Sequence, residues 1–303
     1  MTKKKKAAKT SKAAKSSKSA RKPKRGAVRT NLAAMAVATN ERNTVKERVA
    51  ALAEAPLAVC ESDKHLQAVL DVLRNKEEPV EVRLAAMDTL ATAAFSVIKF
   101  ESCRTDYVAT LREVAQDPNQ EIRQSALDLL AGQKDGFAQK LLLEGLKDPE
   151  KALVPPEKAL QLLSYDAHAE SYAAARDIIA KPPSEDARRE ALRVLSADAS
   201  SAPMFEKLLR DKDELREVRQ ISASALHALK PEKFQEHAKE MLLDKSEYAD
   251  IQATSLTALS QFGDDAAIAK DKPLLKSVDR LSVGKAPAKY KQSARRFLSK
   301  YGR

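Results

Sequence analysis

Apolar residues recur along most of this chain at the spacing of an amphipathic helix. The pattern is clearest in the stretch Asp117–Gly132, DPNQEIRQSALDLLAG. Its apolar positions i, i+4, i+7 and i+8, which share one helix face, are Ile122, Ala126, Leu129 and Leu130. Asp117 suits the N-cap, Pro118 suits the first helical position, and Gly132 suits the helix end. The stretch therefore predicts one helix with a single buried face.

The same apolar stripe returns in a recurring frame, apolar–basic–x–x–small–x–x–x–apolar, in which x is any residue. Clear copies begin at Val82, Ile122, Ala187 and Val218, and weaker copies begin at Val45, Ile251 and Tyr290. Residues 155–163 fit the frame only in their second half. Successive copies lie 31 to 40 residues apart, a period typical of helical solenoids. A further amphipathic helix is predicted between copies, at 64–74, 104–115, 136–146, 169–180, 203–210, 234–243 and 266–281.

These patterns predict an all-α fold: a right-handed α-solenoid of about seven to eight helical hairpins, without a sheet. The composition agrees, because the chain has only 7 Gly, no Trp and 4% aromatic residues. Asp135-Gly136 is the only pair typical of a tight β-hairpin turn, and helical patterns flank it. Residues 28–303 are predicted to form the array, which ends in a basic repeat at 270–303.

Charge is distributed unevenly along the chain. Residues 1–40 hold 13 Lys and Arg and no acidic residue, whereas residues 41–269 have a net charge of −11 and residues 270–303 have +9. Residues 1–27 have almost no apolar side chains to bury, so they are predicted to be a disordered basic tail. An acidic middle thus lies between two basic ends.

The segment DPNQEIRQSAL resembles the D-P-x-x-x-V-R-x-x-A signature of HEAT repeats, which are armadillo-type α-solenoids. The resemblance extends over about residues 40–300. It implies that a turn carboxylate and the Arg six residues later form a ladder of contacts between repeats. The matching pairs are Asp117/Arg123, Asp213/Arg219 and Glu77/Arg83. Pro156 replaces the Arg of its repeat, so the ladder is expected to be interrupted there.

No motif in the sequence indicates catalysis, a metal site or a cofactor. Cys60 and Cys103 are the only cysteines and lack metal-ligand spacing, and the four His have no H-E-x-x-H context. Phosphate-binding glycine loops and the G-x-S-x-G nucleophile turn are also missing. The sequence therefore predicts no catalytic residues, no metal, no cofactor and no enzymatic activity. Two cysteines favour a reduced, cytoplasmic setting, with nucleoid association as the alternative.

The basic tail is the clearest functional feature of the sequence. Its Lys/Ala/Ser/Pro composition resembles the tails of linker histones and of lysine-rich bacterial nucleoid proteins. A flexible cationic arm of this kind binds phosphate backbones without reading sequence. The alternatives left open are a solubilising tail, an anchor to an anionic surface and, in a eukaryote, a nuclear signal around Arg21–Arg25. The predicted polyanion-binding residues are Lys3, Lys4, Lys5, Lys6, Lys9, Lys12, Lys15, Lys18, Arg21, Lys22, Lys24, Arg25, Lys289, Lys291, Arg295, Arg296 and Lys300.

A concave surface is the second functional feature, since in HEAT repeats the second helix of each pair lines it. The frame places one residue of each such helix there, namely Asp88, Asp128, Gln161, Arg193, Ser224, Thr257 and Arg296. Their charge changes from acidic through neutral to basic along the array. We expect this surface to bind a protein partner.

Three functions follow from these features. The sequence favours a non-enzymatic scaffold that docks a protein partner. A nucleic-acid-associated protein that binds DNA or RNA through its tail is the first alternative. The second alternative is an enzyme, either a HEAT-like lyase, which attaches or removes a pigment, or a DNA glycosylase-type enzyme. The absence of Trp and of a recognisable pigment site speaks against it.

Overall fold

The computed structural model describes residues 33–302, apart from the side chain of Val97, and contains no β-strand among them. Contacts divide the chain into two compact units, Met1–Cys103 and Arg104–Arg303. Seven of the described α-helices begin where a side chain accepts hydrogen bonds from the free N–H groups of the first turn. Thr44, for example, forms a capping box with Glu47, and Ser184 accepts a hydrogen bond from the backbone of Ala187.

The first unit is built around one long helix. Its elements are α1 (residues 33–38), α2 (Val45–Ala53), α3 (Pro56–Val59), α4 (Asp63–Arg74), α5 (Val80–Ala94), α6 (Val97–Phe100) and a 3₁₀ turn (Glu101–Cys103). Helices α2, α3 and α4 all pack against α5. Val82, Ala86 and Leu90, spaced four residues apart on α5, are fully buried there, as the frame predicts.

The second unit alternates first and second helices of successive pairs. Its first helices are α7 (Arg104–Val114), α9 (Gly136–Lys147), α11 (Ala169–Ala180), α13 (Ala202–Arg210), α15 (Pro231–Leu243), α17 (Asp265–Lys270) and α18 (Lys272–Val283). Its second helices are α8 (Gln120–Gly132), α10 (Pro156–Leu163), α12 (Glu185–Leu195), α14 (Arg216–Leu229), α16 (Ala249–Phe262) and α19 (Ala288–Tyr301). Each second helix contacts the next second helix along the chain.

One hydrophobic core lies between the two helix layers over most of the second unit. It is continuous from Leu160 on α10 to Tyr301 on α19, and includes the fully buried rings of Phe205 and Phe234. A single helix pair would expose this apolar surface, whereas stacked pairs bury it between neighbours. The described residues hold two pairs in the first unit and six in the second, which confirms the predicted all-α solenoid.

Two local predictions differ from the structure. Helix α8 begins at Gln120 rather than Pro118, because Asn119 caps it by accepting hydrogen bonds from Glu121 and Ile122. The predicted helix 266–281 is two helices separated at Asp271. Pro273 has no N–H to donate and its ring blocks the preceding turn, so the chain ends α17 and starts α18 there.

Buried arginines connect the two layers. The Nε atoms of Arg48, Arg83 and Arg219 each donate to the backbone carbonyl ten residues earlier, at 2.9 to 3.0 Å. Those carbonyls lie at the ends of the preceding first helices or just beyond. Arg48 fills this position in α2, so the weak copy at Val45 is offset from the frame by two residues. The contact fixes where each second helix starts against its first helix.

Carboxylates of the following repeat bind the guanidinium groups of Arg48, Arg188 and Arg219. Arg48 binds Glu78 at 2.6 Å, Arg188 binds Glu214 at 2.6 and 3.0 Å, and Arg219 binds Glu247 at 2.7 and 2.9 Å. Each of these Glu residues immediately precedes the N-cap residue of the next second helix. A bidentate pair between consecutive repeats therefore holds their second helices in register.

The carboxylates proposed from the signature lie elsewhere. Glu77 and Asp213, one residue before these glutamates, are exposed on their turns. Arg123 donates to the backbone carbonyl of Asp117 at 2.7 Å and to that of Leu153 at 2.7 Å. Pro155 and Pro156 stand at the N-cap and first position of α10, where proline is compatible with a helix.

Candidate functional site

The exposed side of the second helices forms the surface on which the concave-face residues were predicted. In the second unit, Asp128, Gln161, Arg193, Ser224, Thr257 and Arg296 lie on α8, α10, α12, α14, α16 and α19 in turn. All are exposed except Asp128, which is half-buried and binds Lys158 at 2.7 Å. Asp88 is exposed on α5 in the first unit. We call the surface carrying the six residues of the second unit the second-helix face.

A groove between α12 and α14 opens on this face. Its lining combines Arg193 and Ser196 at the end of α12 with polar and apolar residues of α14. The α14 residues are Gln220, Ile221, Ser224, Ala225 and Ala228. This part has a volume of about 320 Å³. A second part of about 440 Å³ shares Arg193, Gln220 and Ile221 and continues to Arg216 and Asp250. We call the two parts together the α12–α14 groove.

Two guanidinium groups stand on the rim of the α12–α14 groove with donors to spare. Arg216 donates from Nε and Nη2 to Asp250 at 3.2 and 2.9 Å, and its guanidinium lies 5.2 Å from the centre of the Tyr248 ring. Arg193 binds Glu190 through Nη1. Since a guanidinium carries five N–H donors, each arginine keeps donors for a further acceptor. The hydrogen bonds that Arg216 donates to Asp250 also raise the pKa of Arg216.

The floor of the α12–α14 groove contains an unsatisfied acceptor. The amide nitrogen of Gln220 donates to Ser224 at 3.3 Å and to Thr254 at 3.2 Å. Its Oε1 atom is buried and has no hydrogen-bond partner among the described residues. A buried acceptor without a partner costs about 1–3 kcal/mol. A ligand with an N–H donor would recover part of that cost.

The histidines and cysteines do not form a reactive centre in the described part of the chain. His237 binds Glu206 at 2.7 Å, and His227 lies between the rings of Phe234 and Phe262. Burial raises the pKa of the Cys60 thiol, which disfavours its reactive thiolate. Within residues 33–302, no group of three or more His, Cys, Asp and Glu side chains is placed to hold a metal ion.

The predicted polyanion-binding residues fall into two groups. Those of the N-terminal tail lie outside the described residues. The other five, Lys289, Lys291, Arg295, Arg296 and Lys300, are on α19. Lys300 binds Asp265 at 3.1 Å. The described part of the chain has no helix with the length and apolar character needed to span a bilayer.

Sequence reasoning found Arg193 and Ser224 but missed Arg216 and Gln220. A signal for both was present, since Arg216, Gln220 and Ser224 are four residues apart and so share one face of α14. The frame selected one position in each second helix and took no account of residues one or two helical turns away on the same face. The partnerless Gln220 oxygen depends on side-chain packing, so no sequence pattern indicates it.

Comparisons with known proteins find similar solved structures and no family. No family model matches the chain, and no curated protein matches it. Among solved structures, it is similar to the complex of CpcE and CpcF of phycocyanin lyase from Nostoc sp. PCC7120. The match has 15% identity and a TM-score of 0.27, and covers 97% of this chain and 99% of that one.

This likeness corrects two predictions made from the sequence. The matched structure is of a lyase, so the prediction of a non-enzymatic scaffold and the expectation of no enzymatic activity are wrong on this finding. None of the comparisons supports nucleic-acid association. A TM-score of 0.27 does not by itself assign an activity or a substrate to this chain.

Proposed function

We propose that this chain is a HEAT-like lyase that holds a carboxylate-bearing prosthetic group in the α12–α14 groove and presents it to a protein substrate. The observation that supports this is the combination found in that groove. Two guanidinium groups with spare donors flank an apolar wall of Ile221, Ala225 and Ala228, beside the unpaired acceptor of Gln220. The slight likeness to phycocyanin lyase adds no weight to it.

The lining indicates what the group must look like. Guanidinium donors bind carboxylates, often in a bidentate manner. The apolar wall favours a flat hydrophobic body, and the Gln220 oxygen favours an N–H donor within that body. A linear tetrapyrrole has all three features: two carboxylates, pyrrole N–H groups and an extended apolar framework.

The residues of the groove have separate roles in the proposal. Arg193 and Arg216 bind and orient the carboxylates, and Gln220 fixes the body by accepting a hydrogen bond. Glu217 and Asp250 also line the groove, so their carboxylates are the acid–base groups nearest to the bound molecule. The open side of the second-helix face leaves room for the protein substrate to approach.

A binding titration tests the proposal. Biliverdin, a linear tetrapyrrole with two carboxylates, is added to the full chain, and its absorbance spectrum is followed. We expect saturable binding, weakened at least tenfold by the double substitution Arg193→Ala/Arg216→Ala, since charge-assisted hydrogen bonds contribute about 1.5–3 kcal/mol each.

Arg176→Ala is the matched control, because Arg176 is an exposed arginine on α11, a first helix, where it binds Asp198. It should leave biliverdin affinity unchanged. Absence of binding to the full chain, or an equal loss in the control, would exclude the α12–α14 groove as a tetrapyrrole site.

A further inference from the structure

A second groove, between α16 and α19, differs in charge from the α12–α14 groove. Thr257, Ser260 and Gln261 line it from α16, and Ser293, Arg296 and Lys300 line it from α19. Its volume is about 310 Å³. Its lining contains hydroxyl, amide and cationic groups but no carboxylate among the described residues. We call it the α16–α19 groove.

The cations of α19 lie on two different sides of that helix. Lys289, Ser293, Arg296 and Lys300 are at i, i+4, i+7 and i+11, and so form one stripe along the α16–α19 groove. Lys291 and Arg295, at i+2 and i+6, lie on another side of the helix. The stripe is about 16 Å long, since an α-helix rises about 1.5 Å per residue.

Two of the three cations in the stripe lack a negatively charged partner among the described residues. Neither Lys289 nor Arg296 forms an ion pair with a described residue, and Lys300 shares Asp265 with the Tyr301 hydroxyl. In the α12–α14 groove, by contrast, Arg193 and Arg216 each have a carboxylate partner. A stripe with two uncompensated cations is complementary to an anionic ligand.

From this geometry we propose that the α16–α19 groove binds an acidic peptide segment in extended conformation. Extended chain rises about 3.3 Å per residue, so about five residues span the stripe. Side chains on one side of such a segment are about 6.6 Å apart, close to the roughly 6 Å rise between Arg296 and Lys300. The side-chain amide of Gln261 can donate to a carboxylate from the opposite wall, whereas the hydroxyl groups of Thr257 and Ser260 already donate to backbone carbonyls of α16.

The distribution of charge favours a single peptide strand over duplex nucleic acid. Helix α16 contains no Lys or Arg, so only one wall of the α16–α19 groove is cationic. Duplex binding takes many phosphate contacts spread over a broad basic surface. A narrow groove with cations on one side and neutral donors on the other matches carboxylates presented in one line. This binding is independent of the tetrapyrrole site proposed above.

Two double substitutions with the same change in net charge test the inference. Lys289→Glu/Arg296→Glu reverses the stripe, whereas Lys291→Glu/Arg295→Glu reverses charge on the other side of α19. The probe is a fluorescein-labelled peptide of alternating Glu and Ala, followed by fluorescence anisotropy with the full chain. We expect binding that the first variant weakens at least tenfold and the second by less than twofold.

Other outcomes of these measurements would contradict the inference. No binding of the peptide to the full chain, or equal loss in the two variants, overturns the inference. Tighter binding of a labelled DNA duplex with equal loss in both variants identifies a general polyanion surface instead. Self-association that only the stripe variant abolishes identifies a second copy as the occupant. Circular dichroism of both variants verifies that α19 still folds.

Discussion

The buried pair Arg219–Glu247 provides the sharpest test of how the repeats are held together. Arg219 is 2% exposed and Glu247 is 7% exposed. Arg219 donates to Glu247 at 2.7 and 2.9 Å and to the carbonyl of Leu209 at 3.0 Å, and Lys212 donates to Glu247 at 2.8 Å. Burial alone would raise the pKa of Glu247, but the hydrogen bonds from Arg219 and Lys212 outweigh it and lower that pKa.

We predict that Arg219→Leu destabilises the chain by about 3–5 kcal/mol. The substitution leaves the Glu247 carboxylate buried with Lys212 as its remaining cationic partner, and leaves the Leu209 carbonyl without its donor. The free energy of unfolding is measured by urea denaturation followed by circular dichroism. Adding Glu247→Leu removes the isolated charge, so the double variant should recover stability relative to Arg219→Leu.

Arg216→Leu is the matched control. Arg216 lies three residues away on α14, and its side chain is half-exposed although it forms an ion pair with Asp250. Its cost should be about 0–1 kcal/mol. The reasoning is refuted if Arg219→Leu costs no more than Arg216→Leu. It is also refuted if the double variant is less stable than Arg219→Leu alone, because the loss then does not come from an uncompensated charge.

Three further predictions concern helix capping, core packing and pH. Asp135→Ala removes the cap that accepts hydrogen bonds from Phe137 and Ala138, and should cost about 1–2 kcal/mol in urea denaturation, whereas Asp135→Asn keeps the cap and should cost less. Leu192→Ala empties a fully buried position on α12 and should lower the free energy of unfolding by about 2–5 kcal/mol. Val283→Ala, at a position that is 72% exposed, should lower it by at most about 0.5 kcal/mol. Burial lowers the pKa of His227 below its ordinary 6.5, so the unfolded chain binds more protons and stability should fall as pH drops below about 6.5. His227→Leu should remove that part of the pH dependence, and an unchanged dependence in the variant would exclude His227 as its source.

The helical hairpins could be predicted from the sequence because each depends on local signals. Apolar spacing, polar turns and proline positions located most second helices to within a few residues. The ladder could not be predicted from local signals alone. Which carboxylate accepts hydrogen bonds from each arginine depends on how consecutive repeats pack. The signature pointed to Glu77 and Asp213, whereas the carboxylates that bind arginines of the preceding repeat are the next residues, Glu78 and Glu214. A shift of one residue at a turn moves a side chain from solvent into the layer between helices.

The α12–α14 groove could be predicted only in part. The frame located Arg193 and Ser224, because a residue's face on a helix follows from periodicity. It could not indicate that Gln220 has a buried oxygen without a partner, or that the charges of Arg193 and Arg216 are compensated while those of Arg296 and Lys289 are not. Those properties arise from contacts between neighbouring second helices, which periodicity does not contain.

A structure of the full chain with a bound linear tetrapyrrole is the most direct test of the proposed function. We expect the two carboxylates within hydrogen-bonding distance of the Arg193 and Arg216 guanidinium groups, and an N–H group of the ligand directed at the Gln220 oxygen. The apolar framework should contact Ile221 and Ala225. A tetrapyrrole bound away from α12 and α14, or a structure without one at saturating concentration, would contradict the proposal.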